Sequence, residues 1–229
     1  MGIPVSLYAR PAGAYRTFGL QQYRCRCLPL PIEVAPRDYV LDGGGCWGDT
    51  ALYFAEKVGE GGKVFSFEFL TEHLEIMQRN LEVNPTLGHR VEIVRRALWL
   101  ESGKDMDYEA RGPGTRLLGG AGTSPSPKVK TLAIDDFVAE RKLARLDFIK
   151  MDIEGSELSA LRGAERTLKH FVPKLAICVY HRLDDFFDIP DYLDALRLGY
   201  RFYLRHFSIH SEETVLFAAR PTPSKVAAG

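Results

Sequence analysis

Asp42, Gly43, Gly44, Gly45 and Gly48 close an apolar run that reads Val-Leu-Asp-Gly-Gly-Gly-Cys-Trp-Gly over 40–48. Twenty residues past Gly48, the run Lys-Val-Phe-Ser-Phe-Glu ends on Glu68. A buried strand that ends in a carboxylate and turns on glycines into a helix, followed by a second strand ending in a carboxylate, is the layout of a nucleotide-type cofactor site. Glycine lets backbone approach a ligand where a Cβ would block the turn. Glu68 is placed to accept hydrogen bonds from the two hydroxyls of a ribose.

The glycines fit two patterns. Gly43, Gly45 and Gly48 satisfy G-x-G-x-x-G, which suits a dinucleotide, and Asp42, Gly44 and Gly48 satisfy D-x-G-x-x-x-G, which suits S-adenosylmethionine (SAM). Asp42 favours SAM. A pyrophosphate wants helix N-terminal N–H groups with no carboxylate beside it, whereas SAM carries an ammonium and a sulfonium that a carboxylate helps. An NAD(P)-dependent oxidoreductase is the enzymatic alternative, and a SAM-binding protein without catalysis is a third reading. A tight glycine turn with no ligand is the plainest, and it gives Asp42 and Glu68 no common reason to end strands.

A second cluster follows later strands. Ligands of such sheets lie at the carboxyl ends of strands. Asp152, Glu154 and Glu157 stand past one expected strand, Tyr180, His181 and Arg182 past the next, and Ala97, Leu98 and Trp99 past a third. Methyl transfer requires an aligned acceptor and a route for its proton. His181 suits the base, because imidazole titrates near neutrality. Asp152 can orient His181, hold an acceptor hydroxyl or contact the SAM ammonium. A strand-end hydrogen bond is the plain reading of His181, and complementing a helix dipole is the better reading of Glu157. Asp152, Glu154 and His181 also form an oxygen-rich set on which magnesium is conceivable but not established. Phe69 and Trp99 can flank an adenine ring, with Ala97 beside them. Arg205, His206 and His210 can line an acceptor pocket, while His73, His89 and His170 read as surface residues.

Alternating strand and helix patterns must position these groups. Parallel strands are expected over 39–42, 63–68, 91–94, 146–152 and 175–180. Helices are expected over 49–57, from an N-cap at Thr71 to 82, from 156 to 169 and from 190 to 198, and a turn with a short helix over 132–138. Strands over 200–205 and 214–219 should pair antiparallel across a short loop. Residues 1–37 read as an irregular, proline-punctuated leader and 221–229 as a frayed tail. The segment 111–128, rich in glycine, serine and proline, reads as a tolerated insertion or a flap over the site.

Composition bounds the rest. The 229 residues carry 30 Lys+Arg against 30 Asp+Glu, with 45% hydrophobic residues, so no global field favours nucleic acid or a membrane. Arg10, Arg16, Arg24 and Arg26 stand in an acid-free stretch, either a solvated leader or a contact arm for an anionic partner. The apolar leader can also pair with another subunit. No apolar run reaches the ~18 residues of a span, and no secretory core is visible. Cys46 and Cys178 read as small buried side chains in a reducing compartment. The expectation is a cytoplasmic protein with a small-molecule acceptor.

The arrangement resembles the FkbM family of SAM-dependent methyltransferases over residues 39–219. The resemblance rests on Leu-Asp-Gly-Gly-Gly-Cys-Trp-Gly-Asp at 41–49, Phe-Ser-Phe-Glu at 65–68 and Arg-Asn-Leu-Glu-Val-Asn at 79–84. It rests further on Ile-Lys-Met-Asp-Ile-Glu-Gly-Ser-Glu-Leu at 149–158, Val-Tyr-His-Arg at 179–182 and Gly-Tyr-Arg-Phe-Tyr-Leu-Arg-His at 199–206. It implies an α/β, class I methyltransferase fold over 38–220: a seven-stranded, mostly parallel sheet with helices on both faces. It also implies SAM as donor and an oxygen acceptor on a sugar, glycoside or natural product. Asp42, Gly44 and Gly48 would form the methionine-side loop, Glu68 would take the ribose, and Asp152 and His181 would face the transfer site. Phe69 stands where the family often has proline, and the stretch before Tyr39 lacks a clear helical lid.

Overall fold

The computed structural model describes residues 4–26, 31–118 and 126–221. The strands are β1 Tyr39–Gly43, β2 Lys63–Phe67, β3 Val91–Val94, β4 Ala97–Leu98, β5 Asp105–Glu109, β6 Arg116–Leu117, β7 Lys128–Leu132, β8 Phe148–Met151, β9 Lys174–Cys178, β10 Arg201–His206 and β11 Thr214–Ala219. The helices are α1 Pro11–Ala14, α2 Asp49–Val58, α3 Thr71–Glu82, α4 Pro85–Gly88, α5 Ile134–Glu140, α6 Glu157–Arg162, α7 Glu165–Phe171 and α8 Asp185–Ala195, with a π turn at Tyr15–Gly19.

Seven strands form one sheet in the order β10-β11-β9-β8-β1-β2-β3. Its pairings are parallel except where β11 lies antiparallel between β9 and β10. All four residues of β8 and all six of β11 are buried, as strands covered on both faces must be. One face packs Leu52, Phe54 and Val58 of α2 with Met77 and Leu81 of α3. The other packs Phe137 of α5, Leu161 of α6, Leu168 of α7 and Leu193 of α8. The chain leaves β1 toward β2 and β3, then returns to β8 on the other side of β1. That reversal opens a crevice at the carboxyl ends of β1 and β8, where such sheets bind ligands.

A small second sheet, in the order β4-β7-β5-β6, fills the connection between β3 and α5. The described part of 111–128 therefore includes paired strand, and residues 119–125 lie outside the described residues. The frayed tail expected over 221–229 also lies outside them, apart from Pro221. Among the described residues no helix is long and apolar enough to cross a membrane.

Three helix boundaries differ from expectation. The helix expected over 156–169 is two, α6 and α7, broken at Gly163 and Ala164. A Cβ on Gly163 would stand 2.4 Å from the Trp99 carbonyl oxygen, so the chain dips there for close packing. The last helix starts at Asp185, with Pro190 inside it rather than at its head. Thr71 is the first helical residue of α3, and Leu70 holds the cap position without a side-chain bond.

The leader is not loose. Tyr23, Cys25, Ile32 and Val34 are buried in the α2-side core. Three of the four arginines of the acid-free stretch are engaged within the chain: Arg10 lies 5.5 Å over the Trp47 ring, Arg16 pairs with Glu213 and Arg24 with Glu33. An arm held free for an anionic partner is thus not what these three form.

Candidate active site

The loop after β1 rests on the tip of β8. Gly44 adopts φ +75°, and a Cβ there would lie 1.9 Å from the Asp152 carbonyl oxygen. The N–H groups of Gly44 and Gly45 both donate to the Phe67 carbonyl at the end of β2, at 3.1 and 2.9 Å. Gly44 and Cys46 line a cavity of ≈ 610 Å³, within the ordinary range of ligand pockets. Gly43, Gly45 and Gly48 shape the loop without lining the cavity, and Gly48 caps α2. Burial, with the charges of Glu68 and Asp49, pushes the Cys46 thiol up, so it stays protonated.

Asp42 is the main correction to the sequence reading. It is fully buried and does not line the cavity. Its Oδ2 accepts from the hydroxyls of Thr50 and Ser66, both at 2.9 Å, and its Oδ1 lies 3.1 Å from Lys150 Nζ. Lys150, 1% exposed, also donates to the carbonyls of Gly43 at 2.9 Å and Gly44 at 2.8 Å. Burial alone would push this ammonium down, but the Asp42 and Asp152 charges outweigh it and the group stays charged. Asp42 is therefore tied to the loop through Lys150, beneath the cavity rather than on its wall. Lys150 was missed because one lysine in an apolar strand gives no sign of which way it points.

Glu68 does reach the cavity. Its Oε1 accepts from the N–H groups of Phe69 and Leu70, at 2.6 and 2.9 Å, and its Oε2 lies 3.0 Å from His73 Nδ1. These bonds hold the start of α3 in place of a Thr71 cap. They also fix the carboxylate while leaving lone pairs for a ligand's hydroxyls. His73 is buried and lines the cavity, where the sequence suggested a surface residue. Phe69 packs edge-on to Tyr108 at 5.1 Å, and with Ala97 and Leu98 gives this end an apolar wall. Trp99 does not line the cavity, whereas Gly112, Pro113, Gly114, Thr115 and Leu117 do. The described part of the glycine-rich segment is thus cavity wall.

Asp152 and His181 meet at the tips of β8 and β9. Asp152 Oδ2 accepts from the Tyr23 hydroxyl at 2.8 Å, Oδ1 accepts from Tyr180 at 3.1 Å, and His181 Nε2 lies 3.3 Å from Oδ1. His181 Nδ1 lies 2.9 Å from Glu157 Oε1, and Nε2 lies 3.6 Å from Glu154 Oε2. Glu157 is fully buried and accepts from the N–H groups of Ile153 and Gly155, at 2.8 and 2.9 Å. It pins the turn after β8, a role closer to loop anchor than to dipole complement.

The electrostatics assign protons. Burial alone would push His181 down, but Asp152, Glu154 and Glu157 reverse this and raise it far above the usual imidazole range. Burial would raise Asp152, but the His181 hydrogen bond and charge, then Lys150 and Tyr23, hold it well below the usual carboxylate range. Burial and the Asp152 charge keep the Tyr23 and Tyr180 phenols protonated. Each shift favours the charged form of its group, a carboxylate at Asp152 and an imidazolium at His181. The three carboxylates thus favour a proton on His181, a bias opposite to that of the base expected from the sequence.

Ligand atoms of Asp152, Glu157 and His181 lie within 4.8 Å of one another. Glu157 is already bound to two backbone N–H groups, and the imidazole faces carboxylates from both nitrogens. This donor set does not fit magnesium, which demands near-octahedral oxygen ligation. Arg205, His206 and His210 do not line the cavity; Ser211, Glu212 and Glu213 of the same hairpin do.

A mostly parallel sheet with one reversed strand and a glycine loop facing a strand-end carboxylate defines the class I methyltransferase type of α/β domain. Residues 20–202 match the methyltransferase FkbM domain, and the chain belongs to that family. It is similar to the crystal structure of the methyltransferase FkbM of Methylobacillus flagellatus KT, with 26% identity and a TM-score of 0.62, over 84% of this chain and 46% of that one. This chain thus spans under half the length of that relative. The fold is shared with a SAM-dependent O-methyltransferase of Thermotoga maritima, at 14% identity and TM-score 0.51, over 95% of this chain and 68% of that one. It is also shared with Aeropyrum pernix fibrillarin with bound SAM, at 13% identity and TM-score 0.51, over 91% of this chain and 73% of that one. No curated protein matches the chain.

Proposed function

We propose that the chain binds SAM in this cavity and directs its methyl group to a hydroxyl oxygen of a small-molecule acceptor: a sugar, a glycoside or a natural product. Family membership supports the donor, and the Asp152 carboxylate on the cavity wall is the observation that carries the acceptor side. When bound, SAM supplies a methyl carbon activated by a sulfonium leaving group. The chain's own residues do the rest. Glu68 takes the ribose hydroxyls, while Phe69, Ala97 and Leu98 cover the adenine. The loop at Gly44 gives backbone close to the methionine end, in a cradle that a Cβ would fill.

Asp152 receives the acceptor's O–H as a hydrogen bond and aligns its oxygen for in-line attack. With SAM bound, the C–O bond would form as the C–S bond breaks, and the methylated oxygen would release its proton to solvent while Asp152 holds the acceptor in line. His181 holds Asp152 in position and keeps it ionised. Replacing Asp152 with Asn should lower turnover by about 10²–10⁴-fold, measured as transfer of labelled methyl from SAM to glycosides. Full turnover in Asp152→Asn would remove Asp152 from the reaction.

A further inference from the structure

The family match ends at residue 20 on one side and 202 on the other, yet the cavity continues past both. Arg16, from the π turn, lines it, as do Ser211, Glu212 and Glu213 between β10 and β11. These stretches are distant in sequence and bound in space. Arg16 NH1 lies 3.0 Å from Glu213 Oε1, and Gln22 Nε2 donates to Glu213 Oε2 at 2.6 Å. Gln22 is 3% exposed, so its amide is a buried strut. Glu213 sits at φ +69°, the left-handed region that favours glycine, and its carbonyl accepts from Phe207 N–H at 3.0 Å. A side chain kept there is over-determined by its surroundings, and such positions concentrate at functional sites.

The two partners are not equally free. Glu213 is 9% exposed and has a partner on each oxygen, whereas Arg16 is 39% exposed and uses one edge of its fork on Glu213. A guanidinium carries five N–H donors in a rigid plane, so Arg16 has donors left for the cavity. Asp152 and Glu154 line the same cavity with hydrogen-bond acceptors.

We propose that Arg16 and Glu213 are specificity-determining residues for the acceptor: Glu213, gripped by Arg16 and Gln22, fixes the guanidinium so that its free N–H groups bind an uncharged oxygen of the acceptor. The inference rests on the methyl-transfer reading of the cavity. An uncharged oxygen is specified because the cavity wall carries the acidic Glu68, Asp152, Glu154, Glu212 and Glu213 against the basic Arg16, Arg96 and His181. An anionic acceptor meets net repulsion there.

The test uses purified protein, tritiated SAM, and methyl glucoside and methyl glucuronide as neutral and anionic probes. Binding of S-adenosylhomocysteine is measured in parallel by calorimetry. Wild type should favour the glucoside. Arg16→Gln should raise KM for the glucoside about 10-fold or more, the scale of one charge-assisted hydrogen bond, with S-adenosylhomocysteine affinity unchanged. Glu213→Gln keeps the shape, removes one negative charge and should shift the preference toward the glucuronide. An unchanged KM in Arg16→Gln, an unchanged preference in Glu213→Gln, or a wild type that binds S-adenosylhomocysteine but methylates neither probe would overturn the proposal. A wild type that fails to bind S-adenosylhomocysteine overturns the methyl-transfer reading instead.

Discussion

His181 sits among three carboxylates, at 2.9, 3.3 and 3.6 Å. Its folded-state affinity for a proton is raised above that of the unfolded chain. The stabilisation is therefore complete below the unfolded value of about 6.5 and is lost as pH rises toward the folded value. Urea denaturation from pH 6.5 to 8.5 should show stability falling by up to about 1.4 kcal/mol per pH unit from this group. In His181→Gln that slope should vanish. An equal slope in both proteins would mean that His181 is neutral, and the base role would return to it. The reference pKa that made His181 look like a base ignores Glu157, which no local pattern places against the ring.

At the scale of elements, the loop after β1 is held from beneath by a buried pair on adjacent strands. Asp42 on β1 faces Lys150 on β8, and Lys150 grips the carbonyls of Gly43 and Gly44. Breaking a buried pair from one side strands a charge, at about 3–5 kcal/mol. Lys150→Met should cost on that order in chemical denaturation, and the double change Lys150→Met with Asp42→Asn should recover much of it. Additive losses in the double-mutant cycle would show that the two groups do not support each other. The five parallel strands, the final antiparallel pair and α2 were legible in the sequence, because apolar runs and glycine stops mark them directly. Pro190 inside α8 and the break at Gly163 were not. A proline reads as a helix start, and only the approach of the Trp99 carbonyl explains why a helix must stop at Gly163.

Across the whole molecule, the sheet order explains why distant motifs share one crevice. β1 and β8 are neighbours although about a hundred residues separate them, so Gly44 and Asp152 meet. Glu68, Gly44, Asp152 and His181 were legible as strand-tip residues and do line one cavity. Asp42 was legible as important but not as buried, because a carboxylate at a strand tip looks the same whether a ligand or Lys150 answers it. The leader's contribution was hidden: Tyr23 on Asp152, Thr17 on Asp49 and Asn80 on both Tyr8 and Trp47 join elements that no local pattern connects.

The central claim is that the cavity binds a SAM-type cofactor through Glu68, and calorimetric titration with S-adenosylhomocysteine and with NADH tests it most directly. Wild type should bind S-adenosylhomocysteine and not NADH, and Glu68→Ala should weaken that binding by about 1–3 kcal/mol through the lost hydrogen bonds to the ribose. Binding of NADH alone, or equal S-adenosylhomocysteine affinity in wild type and Glu68→Ala, would contradict the account.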